Sequence, residues 1–166
     1  MRPYSLTALR AALGNVDTAT RKNARMPGHQ FSPPISERDY LGWRDPSAPQ
    51  RGYIFVDSEN GPIGIMVTKT RASTSAQRAV MCEFCRIPRR FEQVVLFVAP
   101  VAEQRDSSTF GTYLCVDLDC NARINALRPL TPLDPPAEAL VASRREDLAR
   151  RSRSFVTEVL ERVSLR

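Results

Sequence analysis

Two short stretches, CEFC at Cys82–Cys85 and CVDLDC at Cys115–Cys120, contain all four cysteines of the chain. Each forms a short loop that brings its two sulfurs within a few ångströms of each other. A C-x2-C pair, 29 intervening residues and a C-x4-C pair is a spacing typical of metal ligands. A folded chain can bring both pairs around one tetrahedral ion, and we expect these cysteines to organise the fold between them.

The alternative is that the cysteines form disulfides or are unrelated buried thiols. Disulfide frameworks belong to small secreted domains, whereas the polar opening Met1–Ser5 has no apolar core of a secretory signal. Because no cysteine is left over, we expect one structural zinc ion, in a protein of the cytoplasm. Four thiolates fill the coordination shell of zinc, so such a site should hold the fold and not activate water. The predicted ligands are Cys82, Cys85, Cys115 and Cys120.

The residues around the second pair predict a strand and then a short helix. Alternation over Thr109–Tyr113 is typical of a strand, and residues 119–128 place Ile124 and Leu127 on one helical face. A cysteine loop, a hairpin and a helix that carries the last ligand in its first turn is the element order of a treble-clef finger. Helix N-terminal amides favour negative charge and could stabilise the Cys120 thiolate.

The remaining patterns predict an α+β fold with a mostly antiparallel sheet of four or five strands. Apolar runs at Tyr53–Val56, Ile63–Val67 and Val94–Val98 predict strands. The turn residues Glu59–Pro62 join the first two, and their Asn-Gly pair favours a hairpin. The 42% apolar content fits a modest core. With no run of 18 apolar residues, no membrane-spanning segment is expected.

Three segments are predicted along the chain. Residues 1–39 form a short N-terminal helical arm, with helices capped by Ser5 and Asp17. Residues 40–130 hold the sheet and the zinc finger. Residues 131–166 form a proline-rich linker and an amphipathic C-terminal helix.

Two contacts stay open at this stage. Trp43, the only tryptophan, either pins the arm to the sheet by being buried or serves as an exposed anchor for a partner. The apolar stripe of the C-terminal helix packs either on the domain or on another protein. Pairs such as Glu146/Arg150 are expected to support its exposed face; the others are Asp147/Arg151 and Glu158/Arg162.

The net charge of +6 is concentrated around the first cysteine pair. Residues 69–90 contain six basic residues against one acid, whereas residues 91–135 contain three basic residues against six acids. The excess either offsets the zinc–thiolate charge or forms a surface for nucleic acid or an acidic protein. We expect Pro88 to interrupt regular structure and project its neighbours outward. The candidate partner-binding residues, chosen from charge and expected exposure, are Phe84, Arg86, Arg89 and Arg90.

Motifs for catalysis are missing. The sequence has no Gly-rich phosphate loop, no clear catalytic triad and no paired-carboxylate motif. His29 is the only histidine and is distant from the cysteines, which argues against the histidine-and-metal nucleases built on treble clefs. We expect His29 to lie in a loop, and the chain to be a binding protein without a small-molecule substrate.

Five motifs in order carry a resemblance to a known family. They are YLGWRDP at residues 40–46, APxRGY at 48–53, MCxxC at 81–85, VLFVA at 95–99 and GTYxCxDLxC at 111–120. The set resembles the FBP-domain proteins, which are elongation factor G-binding proteins related to the FusB-type fusidic-acid-resistance proteins. The resemblance runs from near the N-terminus to about Arg128.

The resemblance implies a treble-clef finger with the four cysteines as zinc ligands. It also implies binding to elongation factor G and, for the resistance members, release of that factor from the ribosome when fusidic acid stalls it. This chain departs from the resistance members in its N-terminal part, which is shorter and more broken by prolines than their helical bundle.

Two functions are therefore expected as alternatives. The first is a cytoplasmic protein-binding module that acts on elongation factor G or the translating ribosome. The second is a zinc-finger module that uses its basic cysteine loop on rRNA or tRNA. An RNA-binding module should lose affinity steeply with salt, which separates the two.

Overall fold

A five-stranded sheet lies at the centre of the structure, a computed structural model that describes residues 1–28, 31, 33–70, 80–101, 108–126 and 131–165. The helices and strands are α1 (Leu6–Ala12), α2 (Thr18–Asn23), β1 (Leu41–Asp45), β2 (Ala48–Ser58), β3 (Gly61–Lys69), β4 (Val80–Met81), β5 (Pro88–Arg89), β6 (Val94–Pro100), β7 (Thr109–Cys115), α3 (Cys120–Ile124) and α4 (Ala137–Ser164). The strand order of the central sheet is β1-β2-β3-β6-β7, and all neighbouring strands are antiparallel. A second sheet pairs β4 with β5. The predicted α+β fold with a mostly antiparallel sheet is confirmed.

The β2–β3 hairpin differs from the Asn-Gly turn that its sequence favours. Ser58 pairs with Gly61, and Asp57 pairs with Pro62. The two loop residues are therefore Glu59 and Asn60, one position earlier than in an Asn-Gly turn. Gly61 takes a φ of +118° at the start of β3, a conformation that glycine adopts without steric cost.

Strand β1 is not predicted by the sequence, because Trp43 is followed by charges and prolines that favour a turn. The turn is present, but it is short. Asp45 pairs with Ala48, and the Asp45 carboxylate accepts hydrogen bonds from the amide and hydroxyl of Ser47, as in an Asx turn. The residues before it are therefore free to pair with β2.

The N-terminal arm covers one face of β1–β3, which we call the arm face. Both predicted caps are confirmed: Ser5 Oγ accepts from the Ala8 amide at 3.2 Å, and Asp17 Oδ1 accepts from the Thr20 amide at 2.6 Å. Trp43 is only 3% exposed, and its Nε1 donates to the Arg25 carbonyl at 2.8 Å. Trp43 is therefore a buried anchor between arm and sheet. The apolar cluster of this face includes Leu9, Leu13, Trp43, Tyr53 and Phe55.

The opposite face, which we call the finger face, is covered by the cysteine loops and by α4. Strand residues of alternate register, such as Ile54 and Ile65, contribute to this second cluster. From α4, Leu148, Phe155 and Val159 are buried in it. The stripe of the C-terminal helix therefore packs on its own domain.

The exposed side of α4 carries ion pairs. Asp147–Arg151 and Glu158–Arg162 form as predicted, but Arg150 pairs with Asp147 and not with Glu146. The carboxylate of Asp147 thus lies between two guanidinium groups.

No helix among the described residues is long and apolar enough to cross a membrane.

Candidate metal centre

The four cysteine sulfurs meet at one buried point. All four Sγ atoms lie within 4.8 Å of one another, with Cys82–Cys120 at 3.6 Å and Cys85–Cys115 at 3.7 Å. A tetrahedral zinc with bonds of about 2.3 Å places its sulfurs about 3.8 Å apart, and a disulfide would need about 2.05 Å. The donor set and its spacing therefore fit zinc. The four cysteines form a zinc-finger site for one structural ion.

The first cysteine loop (Cys82–Cys85) lies between β4 and β5. The Arg86 amide donates to the Cys82 carbonyl at 2.9 Å, which closes the turn. Closing it requires a φ of 54° at Arg86, a left-handed conformation that costs a side-chain-bearing residue about 1–2 kcal/mol. The loop, the β6–β7 hairpin and α3 then follow in treble-clef order.

The second cysteine loop (Cys115–Cys120) connects β7 to α3. Cys115 ends the strand, two residues beyond the predicted Thr109–Tyr113, and Cys120 begins the helix, so the last ligand lies in its first turn as predicted. Leu118 takes a φ of 55°, and its amide donates to the Cys115 carbonyl at 2.9 Å. The helix ends at Ile124 in the structure, and Leu127 lies outside the described residues.

Two glycines of the sheet provide space for the second cysteine loop. A Cβ atom at Gly42 would lie 2.7 Å from the Leu118 carbonyl oxygen, and one at Gly52 would overlap the Leu118 side chain. Both glycines are on the finger face, since Gly42 pairs with Ile54 and Gly52 pairs with Val67. Their missing side chains let the loop approach the sheet backbone.

Residues 38–40 bind the second loop with polar contacts. The Tyr40 hydroxyl donates to the Leu118 carbonyl at 2.6 Å and accepts from the Cys120 amide at 3.2 Å. Arg38 Nη1 contacts Asp119 Oδ1 at 2.9 Å. Burial, and then the nearby Cys120 sulfur, raise the pKa of Tyr40 well above its usual value. Its hydroxyl therefore stays protonated and able to donate.

Phe84 lies in the first cysteine loop but is not at the surface. It is 1% exposed, with ring centroids 5.3 Å from Tyr40 and 5.9 Å from Phe155. Its carbonyl accepts from Arg151 Nη1 at 2.6 Å. The prediction that Phe84 offers an exposed aromatic to a partner is wrong, because the ring fills the space between the sheet and α4.

The three candidate arginines differ in environment. Arg86 is half exposed and pairs with Glu83. Arg89 is partly buried, and its Nη1 atom has no hydrogen-bond partner within the described part of the chain. Arg90 is exposed and forms no ion pair with any described residue. The expected interruption at Pro88 is wrong: Pro88 pairs with Met81 in the small β4–β5 sheet, at a position that needs no amide donor.

The thiols influence one another strongly. The neighbouring sulfurs lower the pKa of Cys82, and the largest contribution comes from Cys115. The neighbouring sulfurs raise the pKa of Cys120, again mainly through Cys115. Four thiols this close cannot all ionise by themselves, since each added negative charge opposes the next. A bound divalent cation removes this opposition and deprotonates coordinating thiols.

Sequence patterns miss the residues that support the metal site from outside. Tyr40 belongs to the YLGWRDP motif, but its role depends on a partner 80 residues away, at Cys120. Arg151 is one of several arginines on α4 and is separated from Phe84 by 67 residues. His29 lies outside the described residues, and its predicted place in a loop stays a prediction.

Comparison with known proteins identifies one family. A family model described as the FBP C-terminal treble-clef zinc-finger matches residues 8–159, which include both cysteine pairs, the whole central sheet and most of α4. No curated protein and no solved structure matches the chain significantly. The match covers most of the chain, and its description agrees with the observed metal centre. The chain belongs to the FBP C-terminal treble-clef zinc-finger family.

Proposed function

We propose that this protein is a cytoplasmic, non-catalytic module that binds elongation factor G. The observation that carries the proposal is the family match over residues 8–159 together with the complete cysteine set. The motifs that resemble the elongation factor G-binding proteins fall within this range.

The chemistry of the metal centre supports a role without catalysis. Four sulfur ligands complete the tetrahedral shell of zinc and leave no position for a water or a substrate. Two buried tyrosine hydroxyls are also engaged, since that of Tyr40 binds the second cysteine loop and that of Tyr53 donates to Asp45. Neither is available as a general base.

The partner surface is proposed to include the exposed basic residues after the first cysteine loop. Arg90 is exposed, Arg89 is partly buried beside it, and Arg86 is half exposed and pairs with Glu83. Charges at the rim of an interface accelerate association more than they add affinity. We expect these arginines to face acidic side chains of the factor.

The decisive experiment measures binding of the purified chain to purified elongation factor G and, separately, to rRNA and tRNA. The test variant is Arg89→Glu/Arg90→Glu. The matched control is Arg150→Glu/Arg153→Glu, which makes the same charge change at exposed positions of α4. We expect the test variant to associate with the factor more slowly, with a moderate salt dependence, and the control to bind as the wild type does.

The RNA-binding alternative gives a different result in the same experiment. It is favoured by the net charge of +6 and by the basic residues around the first cysteine loop. In that case the wild type binds unrelated RNAs without the factor. The test variant then lowers the log–log salt slope by about 0.7 to 0.9 per lost phosphate contact. Failure to bind the factor at low salt contradicts the main proposal.

A finer proposal concerns the ribosome. If the chain acts as the resistance members of the resembled family do, it should release elongation factor G from ribosomes stalled by fusidic acid. Sedimentation of ribosomes with and without the chain measures the bound factor directly. Binding to the free factor without any release would leave a binding module that has no resistance activity.

A further inference from the structure

Each cysteine loop has a backbone group that is bound by a side chain distant in sequence that is not a metal ligand. The second loop is contacted by Tyr40, which precedes β1. The first loop is contacted by Arg151 of α4. Loops of four and six residues contain few hydrogen bonds of their own, so their shape depends on such external partners.

Tyr40 fixes the second loop through a single hydroxyl group. It donates to the Leu118 carbonyl at 2.6 Å and accepts from the Cys120 amide at 3.2 Å, on both sides of Asp119. The side chain is fully buried, so solvent does not reach the hydroxyl to replace it. Loss of the hydroxyl would leave a buried amide and a buried carbonyl unpaired beside a zinc ligand.

Arg151 fixes the first loop at Phe84, one of the two residues between its cysteines. Its Nη1 donates to the Phe84 carbonyl at 2.6 Å, while its Nη2 binds Asp147. The contact places a cation on the loop that supplies two of the four thiolates. Zinc with four thiolates has a formal charge of −2, so a cation held there is electrostatically favourable.

We infer that Tyr40 and Arg151 are positioning residues for zinc, which couple metal retention to the docking of β1 and of α4. The loops bind the ion in the geometry that these two side chains impose. Displacement of either element therefore weakens the metal site without touching a ligand. Outer partners of metal ligands typically change metal affinity by about 10- to 100-fold.

The first test compares Tyr40→Phe with Tyr53→Phe. Both changes remove one buried hydroxyl, but Tyr53 lies on the arm face and donates to Asp45 at 2.8 Å. The measurement is the rate at which a colour-forming chelator removes zinc from the folded protein. We expect Tyr40→Phe to accelerate release about tenfold and Tyr53→Phe to leave the rate unchanged.

The second test compares Arg151→Gln with Arg150→Gln. Both arginines pair with Asp147, and only Arg151 contacts the cysteine loop. We expect faster zinc release from Arg151→Gln alone. This pair keeps the inference testable even where Tyr40→Phe does not fold.

Cobalt substitution distinguishes positioning from a general loss of stability. The visible absorption of a cobalt tetrathiolate depends on the geometry of its four sulfurs, so Tyr40→Phe and Arg151→Gln should alter it while circular dichroism stays native. Wild-type release rates in both variants, with the fold intact, would overturn the inference. Equal acceleration in Tyr53→Phe or Arg150→Gln would overturn it as well, since the effect would then be one of stability only.

Discussion

The two faces of the central sheet are stabilised in different ways. On the arm face, the rings of Trp43 and Phe55 stack at 5.2 Å among aliphatic side chains, and apolar burial holds the arm. On the finger face, apolar side chains surround two loops that bring four thiols together, which requires a cation. One sheet thus supports a metal-independent and a metal-dependent layer. Because only the finger face depends on the metal, we expect loss of zinc to unfold the finger face before the arm face.

The largest expected effect is that of Cys120→Ser. The change removes a ligand that is also the first residue of α3. Structural zinc contributes on the order of 10 kcal/mol to folding, comparable to the whole stability of a typical domain, about 5–15 kcal/mol. We expect the zinc content to fall and the finger face to unfold. Metal analysis together with circular dichroism checks this, and about one equivalent of zinc in a native Cys120→Ser protein would contradict it.

Trp43→Ala should destabilise the arm face. Truncation of a buried tryptophan costs about 3–5 kcal/mol, and the substitution also removes the hydrogen bond from Trp43 Nε1 to the Arg25 carbonyl. We expect a lower free energy of unfolding in urea, with about one zinc per folded chain retained. Trp43→Phe is the milder control. Loss of zinc from folded Trp43→Ala would show that the two faces are not separable.

Two glycines allow the two faces to be compared by matched substitutions: Gly42 lies on the finger face and Gly64 on the arm face. A Cβ at Gly42 would press on the Leu118 carbonyl, and a Cβ at Gly64 would overlap the Phe55 ring. Each alanine substitution should cost about 1–3 kcal/mol by overpacking. Of these two variants, we expect only Gly42→Ala to accelerate zinc removal by a chelator, because Gly42 lies against the second cysteine loop and Gly64 does not. Equal release rates in both variants would contradict this assignment.

The smallest expected effect is a pH dependence on the arm face. Burial by itself would raise the pKa of Asp45, but hydrogen bonds from Tyr53, Ser47 and the Arg25 amide outweigh it and lower the pKa below its usual value. Because the folded pKa lies below the unfolded one, the stabilisation is present above about pH 4 and is lost as pH falls through the folded pKa.

Asp45→Asn should therefore be less stable than the wild type at pH 7, by about 1 kcal/mol. The difference should narrow below pH 4. Urea unfolding of both proteins between pH 7 and pH 3 measures it, and acid loss of zinc affects both alike. A difference that stays constant with pH would contradict the assignment.

Local patterns predict much of this fold, and contacts distant in sequence account for what they miss. The cysteine spacing, the caps at Ser5 and Asp17 and the β2–β3 hairpin depend on residues a few positions apart, and the sequence predicts all of them. The burial of Phe84 depends on α4, whose Phe155 packs against it. No periodicity near Phe84 indicates that partner.

The same reason explains why Tyr40 and Arg151 are not found from sequence. The role of each follows from the register of the sheet and the docking of a helix, and neither is visible in a motif. The cysteine ligands, in contrast, can be identified from sequence. Within each pair, the short spacing alone brings two sulfurs close enough to bind one metal ion.

X-ray absorption at the zinc edge tests the central claim most directly, since the metal-dependent face requires a closed site. The measurement gives the number and kind of atoms bound to zinc in the purified wild-type protein. Four sulfurs at about 2.3 Å, with no oxygen or nitrogen neighbour, is the predicted result. Three sulfurs with one oxygen would contradict it, because such a site is open and the metal could activate water.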